Sequence, residues 1–359
     1  MVEWRKLIDV ADVKYGYPFD SALFSEDCTY IPLIRIRDVK PGVPSTFYIG
    51  EYSTDYIIKK GDILVGMDGE FNLAKWNDRD GLLNQRVLKL SGKEGLCYSG
   101  FLFHYMGPVF KKIEKQTAGG SVKHLSAKVI NKIEIPVPSL TEQNRIVGIL
   151  DTFTASIDNL KQQIEQRKKQ YEHYRDKLLD FTGREDVVWK NLANLCEIGT
   201  GSSNTNEGIE NGLYPFYTRG QEVLSKNEYE YDDCSIITSG DGVGVGKVFH
   251  FTNGKYALHQ RAYRIHVINE DVVNSKFLYY YFLKTFLSYI LKNSFFSSVT
   301  SLRKPMLVKF PVPVLSLTEQ LRIVSILDTF TTSIANLEQQ LEQRQRQYEY
   351  YRNKLLTFE

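Results

Sequence analysis

The chain is poor in the residues that build metal, redox and hydrolytic sites. Its 359 residues hold four cysteines, Cys28, Cys97, Cys196 and Cys234. None stands in a C-x-x-C or comparable ligand spacing, which argues against a zinc site and against a disulfide framework in a chain this long. They read as reduced thiols. Six histidines are scattered and no matched carboxylate pair is evident, which leaves little for hydrolysis. Strong charge of one sign is also missing. The formal net charge is +2, weak support for a nucleic-acid binder, although it does not exclude one because local basic patches matter more than the sum. The most apolar run, FLYYYFLKTFLSYIL at 277–291, is interrupted by Lys284 and too short to span a bilayer. It predicts a buried amphipathic helix. The opening MVEWRKLIDV lacks the apolar core of a signal peptide. The expectation is a cytoplasmic protein with no membrane partner.

What the chain does have is a long internal repeat. SLTEQNRIVGILDTFTASIDNLKQQIEQRKKQYEHYRDKLLDF at 139–181 returns at 316–358 as SLTEQLRIVSILDTFTTSIANLEQQLEQRQRQYEYYRNKLLTF. Roughly three in four positions are identical and there is no gap, the mark of a duplicated unit. In each copy apolar residues recur at alternating spacings of four and three, the seam of a coiled coil. The first seam includes Ile157, Leu160, Ile164 and Arg167, and the second Ile334, Leu337, Leu341 and Arg344. Each has one polar intruder, at the same place. Ser139 and Glu142, like Ser316 and Glu319, fit the capping box that opens a helix. At ~1.5 Å per residue each copy makes a rod of roughly 60 Å.

An apolar stripe of that length needs a partner. One alternative is a pair of arms that dimerise with another chain. The favoured expectation is internal antiparallel pairing, because the matching seam is already present at high effective concentration. A buried polar residue in a seam can fix register, and Glu165 and Glu342 are the candidate partners of the two arginines.

The segments before each rod form a second, diverged repeat. Trp4 matches Trp189, Gly16 matches Gly201, and Asp68-Gly69 matches Asp241-Gly242. Gln85-Arg86 matches Gln260-Arg261, Ser121-Val122 matches Ser298-Val299, and Pro136-Val-Pro138 matches Pro311-Val-Pro313. Short β segments are expected at 31–36, 62–65, 85–90, 235–238 and 262–267, each half closing with an apolar helix. The fold class is therefore α+β. Two mixed α/β domains with curved sheets, at 1–138 and 183–315, alternate with long helices at 139–182 and 316–359. The helices form an antiparallel intramolecular coiled coil, and the halves are related by an approximate two-fold. Near-identical rods joined to domains that share only anchor residues suit a reader of two unlike sites at a fixed separation. Drift after duplication is the alternative.

With P-x-P followed by S-L-T-E-Q-x-x-I-V-x-I-L-D opening each rod, the whole chain resembles the specificity subunits of type I restriction–modification systems. That resemblance implies two target-recognition domains, each reading half of a split sequence in double-stranded DNA across a spacer set by the coil. It implies two methyltransferase subunits using S-adenosylmethionine on adenine, and two restriction subunits using ATP and Mg. It also implies that this chain is not itself an enzyme and holds no cofactor. The residues agree, since there is no [N/D]-P-P-[Y/F] motif. The Gly-rich run at 240–247 fits neither the Walker pattern nor G-x-G-x-x-G. It reads as a turn between strands, or alternatively as a loop that brings Lys247 to a phosphate.

Arg is the commonest base reader and basic side chains dominate phosphate contacts. The DNA-binding candidates are Arg35 and Arg37, placed on one strand face, with Arg86 and Lys123 in the first domain. In the second they are Arg219, Lys247, Arg261, Arg303 and Lys304. Arg86 and Arg261 occur in both halves, which suits a structural or phosphate role rather than base reading. The competing function is a coiled-coil scaffold that binds only proteins.

Overall fold

The computed structural model describes residues 2–116, 124–293 and 301–358. Contacts divide the chain into two units, Met1–Leu160 with Gln340–Glu359, and Lys161–Gln339. In each, a mixed α/β domain packs on part of both long helices. No helix among the described residues is long and apolar enough to cross a membrane. All four cysteines are free.

The first unit opens with the strand Glu3–Lys6, antiparallel to Glu134–Val137, with Trp4 opposite Pro136. A four-stranded antiparallel sheet follows in the order Ala11–Tyr15, Val87–Gly92, Ile63–Gly66, Leu73–Lys75. Strands of two to four residues, interleaved along the chain with these, form a second, five-stranded sheet. The apolar helix Ser99–Gln116 buries Phe101, Leu102, Met106 and Phe110 in one core with Val65, Leu88 and Leu90. Ile146 and Leu150, early in the first long helix, are fully buried in that core, and Tyr348, Leu355 and Phe358 from the end of the second pack on it.

The second unit repeats this plan. Val188–Asn191 pairs with Pro311–Val314, with Trp189 opposite Pro313. The strands Cys196–Thr200, Ala262–Val267, Tyr231–Ser239 and Phe249–Leu258 stand in the same order as their counterparts. Tyr214–Tyr217 and Val223–Lys226 extend that sheet rather than forming a second one. The run expected to be a buried helix is the helix Ser275–Lys292, with Phe277, Phe282, Phe286 and Ile290 in the core.

The long helices span Leu140–Leu178 and Leu317–Leu355. They pair with each other and antiparallel. In the second unit Lys168 meets Glu338 at 2.7 Å and Tyr174 stacks on Phe330 at 5.3 Å. As one helix advances, its partner retreats. In the first unit Phe153 stacks on Tyr351 at 5.2 Å. Ile157 and Ile164 are buried, whereas Leu160, Ile334, Leu337 and Leu341 are half-buried, as a two-helix seam allows.

Two expectations about the rods are corrected. The seam arginines do not pair with the glutamates. Arg167 lies over the Phe330 ring at 5.8 Å and Arg344 over Phe153 at 5.7 Å. Glu165 instead takes Lys169 and Glu342 takes Arg346, one turn along their own helices. A planar, weakly hydrated guanidinium stacks on an aromatic face at little desolvation cost, which a half-buried seam rewards. The capping boxes are half made. Ser139 and Ser316 accept the N–H of Glu142 and Glu319 at 3.3 Å, but each glutamate carboxylate is held by an arginine three residues on, Arg145 or Arg322.

The repeated motif also docks each domain onto its rod. Gln143 is fully buried and donates to the carbonyls of Leu96 and Pro138, while accepting the Tyr98 N–H at 2.9 Å. Gln320 does the same with Val272, Leu315 and Asn274. Asp151 then receives His104 at 2.8 Å and Lys75 at 3.3 Å. Asp328 receives the Tyr280 hydroxyl at 2.5 Å and Lys276 at 3.3 Å. The Gln and Asp of L-T-E-Q…I-L-D thus pin the apolar helix of each domain.

Candidate nucleic-acid interface

The two domains build one polar frame in the same way. A glycine closes the first sheet strand in each. A Cβ on Gly16 would stand 2.1 Å from the Asn84 carbonyl, and one on Gly201 1.8 Å from that of Leu258. Only glycine lets the chain pass this close. The chain then pairs with a tight turn. Tyr17 N–H bonds Leu83 O at 2.9 Å and Gln85 N–H bonds Tyr17 O at 3.0 Å. Ser203 and Gln260 make the matching bonds at 3.2 and 2.9 Å. The turns themselves close from Val87 to Asn84 and from Ala262 to His259.

Those turns aim Arg86 and Arg261. The Met67 N–H bonds Arg86 O at 3.0 Å and the Gly240 N–H bonds Arg261 O at 2.9 Å, so the next residue in each case is an aspartate beside the arginine. Leu125 and Leu302 then bond back to Met67 and Gly240 at 2.7 and 2.8 Å, which brings a third segment alongside.

In the first domain Asp68 forms an ion pair with Arg86 and a short hydrogen bond with His124 Nδ1. In the second, Asp241 accepts from Arg219 Nη1 at 2.9 Å and from Arg261 Nη1 at 3.1 Å. Burial alone would raise both carboxyls. For Asp68 the hydrogen bonds from His124 and Arg86 outweigh it, and for Asp241 those from Arg219 and Arg261, so both are held below the usual carboxylate range. Each aspartate is largely covered and remains charged. Its basic partners stay between 42% and 62% exposed. A guanidinium has five N–H donors, so most remain available to an anion or a base edge.

The candidates from sequence fall into two groups. Arg86, Arg219 and Arg261 belong to these clusters. Arg303 and Lys304 are exposed and follow directly on Leu302, which is bonded to Gly240. Lys247 is exposed in a turn between strands, its N–H on Gly244 O at 3.0 Å. Arg35 and Arg37 are corrected. The strand Ile31–Ile34 ends before them, and a helical turn Ile36–Val39 begins. Asp38 captures the Arg35 N–H at 2.9 Å and so stops the strand. Arg35 lies over Phe24 and lines a cleft of about 390 Å³ with Phe19, Asn84, Gln85 and Arg86. Arg37 is tied instead to the hydroxyls of Ser45 at 2.8 Å and Thr46 at 2.9 Å. Lys123, with the Ser121-Val122 and Ser298-Val299 segments, lies outside the described residues. Sequence reasoning missed His124 and the role of the two aspartates, although the repeated Asp-Gly pair was visible.

Comparison with known proteins agrees with this layout. The family described as "Type I restriction modification DNA specificity domain" matches residues 1–168 and again 184–344. The EcoR124I/EcoR124II specificity subunit of Escherichia coli is 29% identical across 99% of this chain and 94% of its own length. The EcoBI specificity subunit of Escherichia coli is 37% identical, but over 49% of this chain and 37% of that protein. The crystal structure of a type I restriction–modification S subunit from M. genitalium shares the fold at a TM-score of 0.74, with 17% identity, over 100% of this chain and 97% of that one. Two copies of the family domain, each laid over one of the two matched polar frames, make the protein a member of the type I restriction–modification DNA specificity subunit family.

Proposed function

We propose that the chain is the DNA-reading, non-catalytic subunit of a type I restriction–modification complex in the cytoplasm. Each domain reads one half of a bipartite target, and the antiparallel coil sets the spacer. Two methyltransferase subunits dock on it and use S-adenosylmethionine to methylate adenine. Two restriction subunits, using ATP and Mg, complete the complex. The observation that carries this reading is the pair of carboxylate-held clusters. One member is common to both domains (Arg86, Arg261) and the other differs (His124, Arg219). A common arginine suits the phosphate backbone, which is the same at every site, and a differing partner suits base edges.

The test is co-expression with the methyltransferase subunit and mapping of N6-methyladenine across the host genome. A split motif is expected. Arg219→Ala should alter methylation at one half-site only. Equal loss at both would point to a folding or assembly defect, whereas no new methylation with no salt-dependent duplex binding would favour a protein scaffold.

A further inference from the structure

Val243 is the most solvent-exposed large hydrophobic side chain among the described residues, at 96%. It sits beside the second domain's arginine cluster. Asp241, which holds Arg219 and Arg261, is two residues before it. Gly242 takes a positive φ of 79° to make the turn. On the other side, a Cβ at Gly244 would stand 2.8 Å from the Arg219 carbonyl, so this glycine lets the loop lie directly against Arg219. The loop is held from within, with Ser239 Oγ donating to Asp241 O at 2.8 Å and the Val248 N–H on Gly244 O at 2.9 Å. An apolar side chain is thus presented on a fixed turn next to donors suited to DNA.

The first domain lacks this device. Its matching turn runs Asp68-Gly69-Glu70, with Gly69 at φ 68°, and Glu70 pairs with Lys40. At this place the frame is shared and the tip differs, as expected of a reader rather than a backbone clamp.

We propose that Val243 reads thymine in the half-site bound by the second domain, through the C5-methyl group in the major groove. Thymine is the one base that presents an apolar group on that groove's edge, and apolar side chains are its partners. A valine makes no favourable contact with phosphate, so in a bound duplex its partner is the groove floor. This inference rests on the reading that the second domain binds duplex DNA.

The experiment uses the full chain assembled with its methyltransferase subunit and the target found by methylation mapping. Each thymine of both half-sites is replaced singly by deoxyuridine, which removes only the methyl. Wild type should lose roughly three- to tenfold in affinity at one position, the range expected for one buried methyl. V243A should bind the unmodified target more weakly by a similar factor and be indifferent to deoxyuridine at that position. V243T, which keeps one methyl, should fall between. The genome-wide motif of V243A should relax at that position alone. The inference is overturned if the half-site holds no thymine, if wild type ignores every deoxyuridine substitution, or if the losses from V243A and deoxyuridine simply add. It is also overturned if V243A instead weakens assembly with the methyltransferase, since the valine would then meet protein. Failure of the wild-type complex to bind any duplex would fell the DNA-reading proposal itself, a separate and recognisable result.

Discussion

Replacing Gln320 by Leu should unlatch the second domain's apolar helix from the rod. The side chain is fully buried. Its amide donates to Val272 O and Leu315 O, both at 2.9 Å, and its carbonyl accepts the Asn274 N–H at 2.8 Å. Asn274 in turn caps the helix Ser275–Lys292, accepting the N–H groups of Lys276 and Phe277 at 3.1 Å. Leucine has similar volume but leaves one N–H and two carbonyls without partners. Each buried unpaired group costs ~1–3 kcal/mol, the carbonyls towards the low end. Added apolar burial returns part of this, so a net loss of about 3–5 kcal/mol is expected. That is a large share of a typical ~5–15 kcal/mol. With a urea dependence of ~2 kcal/mol per molar, the midpoint of the second unit should fall by about 2 M. A two-domain chain need not unfold in one step. Hydrogen exchange must therefore localise the effect to 274–292 and leave 99–116 protected. Leu321→Ala, at the exposed neighbour, should move the midpoint little. A shift of Gln320→Leu below ~0.5 M, or equal loss in both helices, would refute the docking role.

Three further outcomes follow from other contacts. Burial holds His104 below its ordinary value of 6.5, with the Asp151 hydrogen bond opposing only in part. Its folded value is thus depressed, so its stabilisation is full above about pH 6.5 and is lost as pH falls towards the folded value; exchange protection of 99–116 should drop between pH 7.5 and 5.5, and His104→Gln should flatten that drop. Asp241→Asn removes a charge that holds two arginines, so non-specific duplex binding should tighten and its salt slope steepen by about one counterion, read by fluorescence anisotropy, while discrimination between sites falls. Arg167→Leu with Arg344→Leu extends both seams and should raise the coil's melting temperature. Stacking on Phe330 and Phe153 would no longer fix the register, so a one-heptad slip of ~10 Å, about three base pairs, should appear as a second spacer length in the methylation map; a single unchanged spacer would show that the arginines do not set it.

The rods were legible because a helix writes its period into the chain and here writes it twice. Their details were less so, because several residues could serve each group. Glu142 had a backbone N–H to reach, but Arg145, one turn on, offers a bidentate charged partner and wins. The same competition moved Glu165 to Lys169 and left Arg167 to an aromatic face. The misplaced strand at Arg35 has a similar cause. Alternating I-R-I-R reads as a strand by its period, but Asp38 three residues on is a helix-start signal, and one hydrogen bond to the Arg35 N–H decides between them.

The site was half legible for a different reason. Gln85-Arg86 and Gln260-Arg261 could be found because they repeat, and repetition shows only what both domains need. Asp68 and Asp241 repeat as well, yet an Asp-Gly pair reads as a turn. The backbone bonds from Met67 and Gly240 that set each carboxylate beside its arginine join residues far apart in sequence. His124 and Arg219 reach those carboxylates from different places, one beside Leu125 in the repeated third segment and one in a loop of the second domain. The repeat matches the position of His124 with Ser301, each bridged to its aspartate, but not the residue type, and Arg219 has no repeated counterpart. A reader of unlike half-sites requires such differences. A formal charge of +2 over the whole chain is consistent with this. Around Asp241 a single carboxylate meets Arg219 and Arg261, with Arg303 and Lys304 next along the chain from the bonded Leu302. The field that would draw DNA is local, and the total conceals it.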